Sequence, residues 1–395
     1  MNVRLIIQKG FVAMMAAMAL SSCDMMTEDL DDCPTGLYVN FVYDYNIQRA
    51  DMFKDHVGGL TLFVYDESDR LVASKTMGGS QLSKYGSYIH FTEQELAPDH
   101  TYRLMAIAFQ NDQLSANGAK YRLTGNSIGD QRQQFFINLD HKATRQPDNY
   151  FYVSNATPLD TLWHTLTTVT TPADSMPKQL YPALLTPAKC DYSWQRDGSI
   201  KTNGQETVRV VSGEPTYATL SLIRDTKHLN ISLREIDHPE QVSHEDYDIT
   251  IIDDNTILDC ENNLVAPADS VVYRPYAQWT SVVESDGQTT ADYSAHYDLM
   301  FNRLRYNPTT QNNAVLCIRK KATGDVIALF NLPYILCQGR MAYEIYNYQP
   351  QEYLDREYDY RLELFLKDGR WQEGAYLAIC VNALAWAKRI QFVSL

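Results

Sequence analysis

The sequence predicts an all-β chain, two β-sandwiches in tandem behind a short N-terminal leader. Three observations predict it. Apolar residues recur with a period of two over much of the chain, polar turn residues break these runs at short intervals, and no stretch holds a long helical period. The composition agrees. There are 27 Tyr among 395 residues, and Tyr and β-branched residues suit pleated, half-buried surfaces.

The leader comes first. Arg4 and Lys9 supply a positive start, residues 11–20 an apolar run, and Ser21 and Ser22 the small residues before Cys23. This is the pattern of a bacterial lipoprotein signal, cut between Ser22 and Cys23, with Cys23 left as the acylated first residue. The apolar run is about half the ~20 residues a spanning helix needs, so residues 1–22 read as a cleaved signal peptide and not an anchor helix. Attachment then falls to lipid, at about 0.8 kcal/mol per buried methylene. Residues 23–35 carry Asp24, Glu28, Asp29, Asp31 and Asp32, and read as a lipidated, flexible tether.

The N-terminal sandwich is expected over residues 36–200. Residues 38–45 alternate. Leu60, Leu62 and Val64 share one face of a strand, and Thr61, Phe63 and Tyr65 the other. Residues 102–109 make another strand, and a short helix is expected around residues 49–56. Residues 140–200 are rich in Thr, Pro and Asp with weak periodicity, and read as long loops and a junction. The C-terminal sandwich is expected over residues 201–395. Residues 207–211 and 218–224 alternate, and Leu229, Ile231 and Leu233 continue the pattern after a turn at Asp225, Thr226 and Lys227. Residues 247–252 precede the polar turn Asp253-Asp254-Asn255. Residues 314–320 and 326–332 flank a loop containing Gly324. Residues 360–366 and 375–381 flank Lys367-Asp368-Gly369-Arg370, where Asp-Gly is a hairpin signal.

Little points to chemistry. The formal net charge of −15 argues against nucleic acid or an anionic bilayer surface as the main partner. No nucleotide-binding loop, metalloprotease or nucleophile-elbow motif occurs, and no histidine pair has ligand spacing, so no catalytic residue, metal, cofactor or small-molecule substrate is indicated. A glycosidase carboxylate pair would come from distant strands, and nothing points to one. The cluster from Asp253 to Asn263 departs from an EF-hand loop and reads as a turn bonding its own backbone. Trp371 and Trp386 read as core aromatics before a sugar platform. With Cys23 acylated, Cys33, Cys190, Cys260, Cys317, Cys337 and Cys380 remain. They allow fifteen disulfide pairings, or buried free thiols.

Four stretches in order resemble one family. They are CPTGLYVNFVYDYNIQRADMF with VGGLTLFVYDESDRLV, ATLSLIRDTKHLNISL, YDITIIDDNTILDCENNLV with VVYRPY, and QEYLDREYDYRLELFLKDGRW. The chain resembles the lipid-linked fimbrillin-A-associated anchor subunits of type V pili in Bacteroidetes. It departs from them at Ala108-Phe109-Gln110, where such proteins usually carry a tryptophan. The resemblance implies transthyretin-like sandwiches, no enzymatic activity, an outer-membrane place at the base of a fimbria, and a stalk subunit as partner, joined by strand exchange. It also implies a question about Arg49, because stalk and tip subunits lose lipid and first strand to an Arg-specific cut. Arg49 is the first arginine after Cys23. It reads either as that processing site or as a surface residue, with the chain expected to keep Cys23. The apolar residues 389–395 either finish their own sheet or are donated. The acidic residues after Cys23 read equally as a solvated tether or as a route to the outer surface. Competing functions are a tip or accessory adhesin of the same fold and a surface glycan-binding lipoprotein, for which exposed Trp163, Trp194 and Trp279 would speak.

Overall fold

The computed structural model describes residues 35–79, 81–82, 88–111, 121–140, 151–153, 158–171, 187–195, 199–265, 270–283, 292–309, 313–369, 377–383 and 386–392. The last two stretches, with residues 151, 283 and 292, are described by backbone alone. The leader, Ser22, Cys23, Cys33, Trp371 and the acidic tether lie outside the described residues, as do the side chains of Cys380 and Trp386.

The fold is all-β. The N-terminal half runs β1 (Gly36–Val42), β2 (Gly59–Tyr65), β3 (Leu71–Gly78), β4 (Tyr88–Phe91), β5 (Thr101–Phe109), β6 (Tyr121–Thr124), β7 (Phe136–Leu139), β8 (Phe151–Tyr152), β9 (Leu162–Thr171), β10 (Tyr192–Trp194), β11 (Ile200–Thr202), β12 (Val208–Arg209) and β13 (Pro215–Arg224). The C-terminal half runs β14 (Thr226–Glu235), β15 (Tyr247–Asp253), β16 (Ile257–Asp259), β17 (Val271–Tyr273), β18 (Ala277–Val283), β19 (Asp292–Asn302), β20 (Val315–Lys320), β21 (Val326–Asn331), β22 (Asp359–Leu366), β23 (Leu377–Ala383) and β24 (Trp386–Phe392). Short helices α1 (Phe53–His56), α2 (Leu332–Cys337) and α3 (Pro350–Arg356) decorate it.

An eight-stranded sheet has the order β3-β2-β5-β9-β13-β1-β4, with β12 on β5. A six-stranded sheet has the order β18-β19-β14-β22-β23-β24, and a five-stranded sheet the order β21-β20-β15-β17-β8. Two pairings cross between halves of the chain. β7 pairs with β16, and β8 pairs in parallel with β17.

Alternation along β2 explains the layering. Leu60, Leu62 and Val64 enter one apolar cluster with Leu37, Val39 and Phe41 of β1. Phe63 and Tyr65 enter a second cluster with Leu229, Ile231 and Leu233 of β14 and Ile249 and Ile251 of β15. A sheet that is apolar on both faces must be covered on both. The second cluster draws residues from β2, β5, β7, β14, β15, β19 and β22, so it is common to both halves.

Two expectations change. The segment read as loops contains β9, a strand inside the large sheet. Its Thr165, Thr167, Thr168, Thr170 and Thr171 are β-branched and fit a pleat as valine does. The turn expected at Asp225 is no hairpin. β13 ends at Arg224, β14 begins at Thr226, and they lie in different sheets. Asp225 N–H donates to Leu162 O, and its carboxylate accepts from Asn262 Nδ2, so a buried aspartate guides a crossing instead of a solvent turn. The large sheet runs as far as Arg224. The Asp-Gly signal does mark a turn. Asp368 and Gly369 have φ of 51° and 65° between the paired β22 and β23.

Candidate functional site

The first strand and the segment that follows it form the most elaborated region of the molecule. All seven residues of β1 are buried. It lies inside the sheet, parallel to β13 on one side and antiparallel to β4 on the other. Gly36 opens it with φ of 84°, and a Cβ there would stand 2.2 Å from Phe91 O, so only glycine passes. Beside it, the His90 ring meets Thr35 O through Nε2 at 2.8 Å and stacks on Tyr38 at 4.0 Å. Tyr38 also contacts Tyr217 at 5.5 Å.

After β1 the chain makes a tight latch. Asn46 Nδ2 donates to Tyr43 O and Ala50 O, both at 2.8 Å. Asp51 Oδ1 accepts from Tyr43 N–H and Phe53 N–H. These bonds hold Arg49 in the left-handed region, φ 54°, a conformation that a non-glycine residue adopts only under local constraint. The residue is exposed at a turn, yet its side chain is engaged. Arg49 Nε donates to Tyr348 OH at 3.0 Å, and the guanidinium lies 4.2 Å from the Tyr346 ring centre. From the C-terminal half, Arg356 reaches the same latch. It stacks on Tyr45 at 4.1 Å, donates to Asn46 O at 3.4 Å, and pairs with Glu352 at 3.0 Å one helical turn away. From the other side, Trp194 Nε1 donates to Tyr45 OH at 2.6 Å. Tyr192 OH donates to Asp44 at 2.7 Å and contacts the Ser221 hydroxyl. Burial pushes the Tyr45 and Tyr192 phenols far up, so both stay protonated.

Behind the latch lies a buried polar seam between the halves. Arg303 grips Asp355 with two bonds of 2.7 Å, and donates to Asn262 O. Lys227, 1% exposed, donates to Asp355 O at 2.8 Å and Glu357 O at 3.0 Å. Burial lowers the Lys227 ammonium and raises the Asp225 carboxyl. Arg224 lies 4.2 Å from the Tyr358 ring centre. Such pairs cost desolvation energy, which their hydrogen bonds must offset.

Other anticipated features resolve simply. Asp259 spends its carboxylate on Glu261 N–H, Asn263 N–H and Asn263 Nδ2, the self-bonded turn foreseen from sequence. Cys190, Cys260, Cys317 and Cys337 are buried free thiols. Of the three tryptophans bearing on glycan binding, Trp163 is wholly buried and Trp194 is bonded inside the latch. Trp279 is 40% exposed and stacks on His296 at 5.0 Å. No helix among the described residues is long and apolar enough to cross a membrane. Residues 386–392 are paired with β23 at an edge of the six-stranded sheet.

The sequence singled out Arg49 but missed its partners. Arg356 had a signal, because Pro350, Glu352 and Arg356 mark a short helix with an i,i+4 pair. Gly36 and Tyr348 had none, since their roles depend on distant backbone.

The family model of fimbrillin-A associated anchor proteins Mfa1 and Mfa2 matches residues 30–180 and 202–392. The chain belongs to this family. Solved structures agree in fold. One, from Bacteroides thetaiotaomicron and provisionally described as an adhesin, is 22% identical, with 92% of this chain and 100% of that one covered and a TM-score of 0.64. Another from that species, provisionally described as polysaccharide-binding, is 22% identical over the same shares with a TM-score of 0.61. The fimbrial anchor protein Mfa2 from Porphyromonas gingivalis is 16% identical, with 84% and 91% covered and a TM-score of 0.51. Curated protein sequences give no match. Membership of this anchor family supports a fimbrial, cell-envelope role for the chain.

Proposed function

We propose that this family member is an outer-membrane lipoprotein that anchors a fimbria, held by acyl chains on Cys23 and joined to a stalk subunit by strand exchange. It performs no catalysis in this reading. The observation that carries it is the first strand. β1 is buried along its length and stapled at both ends, so the chain from the tether into the fold is one continuous mechanical element. A tethered anchor needs that continuity. A subunit that sheds its first strand would instead leave a groove between β13 and β4, lined by the partners of Leu37, Val39 and Phe41.

The Arg49 conformation supports retention of the strand. A protease reads an extended segment, and here the residues on either side are bonded into a turn whose arginine is occupied by Tyr348 and Tyr346. The same organisation favours two sandwiches, with the crossing at Asp225 as their junction. Attachment to a stalk subunit would use β-augmentation, where main-chain bonds give affinity and alternate side chains give register.

Mass spectrometry of the cellular protein tests this. The expected N-terminus is an acylated Cys23, and Cys23→Ser should release filaments into the medium. A mature chain starting at Ala50, or filaments that stay on cells carrying Cys23→Ser, would overturn the anchor role.

A further inference from the structure

We propose that β1 and β13 form a shear clamp, which carries tension between the N-terminal tether and the C-terminal half of the molecule. The inference rests on the anchor reading for the existence of a load. Its mechanics come from topology alone.

The two strands are parallel, in register from Gly36 beside Pro215 to Val42 beside Ser221. The tether enters at the Gly36 end. β13 leaves at the opposite end, where Arg224 passes through Asp225 into β14. The latch from Tyr43 to Arg49, bound to Arg356 and Tyr348, lies at that far end too. Along the covalent chain, tether and C-terminal half therefore leave from opposite ends of one strand pair. Pulling them apart slides β1 and β13 past each other along their own axes. All the main-chain bonds of the pair are strained together, and none can part alone. Had the load entered and left at one end, the bonds would break one after another.

Side chains reinforce the clamp. Leu37, Val39 and Phe41 are at most 1% exposed, so a slip of one residue would turn each of them out of its core. On the opposite face Tyr38 is held between Tyr217 and His90. These contacts sit at the end of β1 where the tether pulls. Resistance to forced unfolding is set by the height of the unfolding barrier, which a concerted rupture raises.

Optical tweezers on the full chain from residue 23 test the proposal, with one handle on the N-terminal tether. In the first geometry the second handle is a cysteine at Ala322, exposed in the β20–β21 turn of the C-terminal half. In the second it is a cysteine at Glu214, exposed beside Pro215 at the tether's own end of the pair. The first rupture is expected to need about twofold or more force in the Ala322 geometry than in the Glu214 geometry. Urea denaturation of both variants, expected to match the unaltered chain, separates mechanical direction from simple stability. Equal forces, or a lower force in the Ala322 geometry, would overturn the clamp. The Cys23→Ser filament assay reports on the anchor reading separately, since it responds to lipid attachment whatever the rupture force.

Discussion

Individual residues bear unequal weight in this molecule, and Gly36 bears more than its size suggests. It combines a left-handed φ with a backbone carbonyl where a Cβ would lie. Gly36→Ala should therefore destabilise the fold by about 2 kcal/mol or more, read as a lower urea midpoint, because both strain and a steric clash must be relieved. His228 offers a pH test. Burial opposes its charge, but hydrogen bonds to Asp298 and Asp359 prevail and lift it to about 9. A group raised on folding contributes stability that is complete below its unfolded pKa, about 6.5, and is lost as pH climbs through about 9. That loss should be on the order of 2–3 kcal/mol. Glu357, pushed up to about 7 mainly by burial, acts in a lower window: it favours the folded state below about 4.5, and that benefit fades by about 7. Melting curves between pH 6.5 and 9 should thus fall more steeply, or rise less, for the unaltered protein than for His228→Gln, and this difference removes the opposing contribution of Lys227, whose lowered ammonium adds stability as pH rises.

At the scale of elements, the latch is the piece that joins the first strand to the distant helix α3. Its energetics centre on Arg356, whose side chain is 3% exposed while that of its partner Glu352 is 10% exposed. Removing one member of such a pair strands the other. Arg356→Ala should cost about 3 kcal/mol, and hydrogen exchange should speed up across residues 43–50 before it does in β13. Arg356→Lys should recover only part of this, since lysine keeps the charge but not the flat surface that lies on Tyr45. Unchanged exchange in residues 43–50 would show that the latch does not depend on α3.

At the scale of the whole molecule, the two halves share one apolar cluster and exchange strand pairings through β7 with β16 and β8 with β17. The buried seam of Arg303, Asp355, Lys227 and Asp225 crosses the same boundary. Independent unfolding of either half would bare apolar surface and leave buried charges unpaired. Calorimetry should therefore record one transition for the chain, with calorimetric and van't Hoff enthalpies in agreement. Two resolved transitions would mean that the shared cluster contributes little to cohesion. The load-bearing anchor role proposed above would gain from this coupling, because tension on one half would be met by the stability of both.

The order of residues alone determined the β class, most strands of the large sheet, half of those of the six-stranded sheet, the Asp368-Gly369 turn, the self-bonded turn at Asp259 and the family. Each of these is written in local spacing, where a period of two or a turn dipeptide acts over a few neighbours. Tertiary structure alone decided that β9 is a strand inside a sheet, that Asp225 is a buried crossing, and that Arg49 is held by Tyr346 and Tyr348. Those outcomes depend on partners far away along the chain, such as Asn262 for Asp225 and Tyr348 for Arg49, and no local pattern encodes which distant backbone will arrive. The parallel pairing of β1 with β13 belongs to the same group, since strand direction is set by how connections pack and not by the residues within either strand.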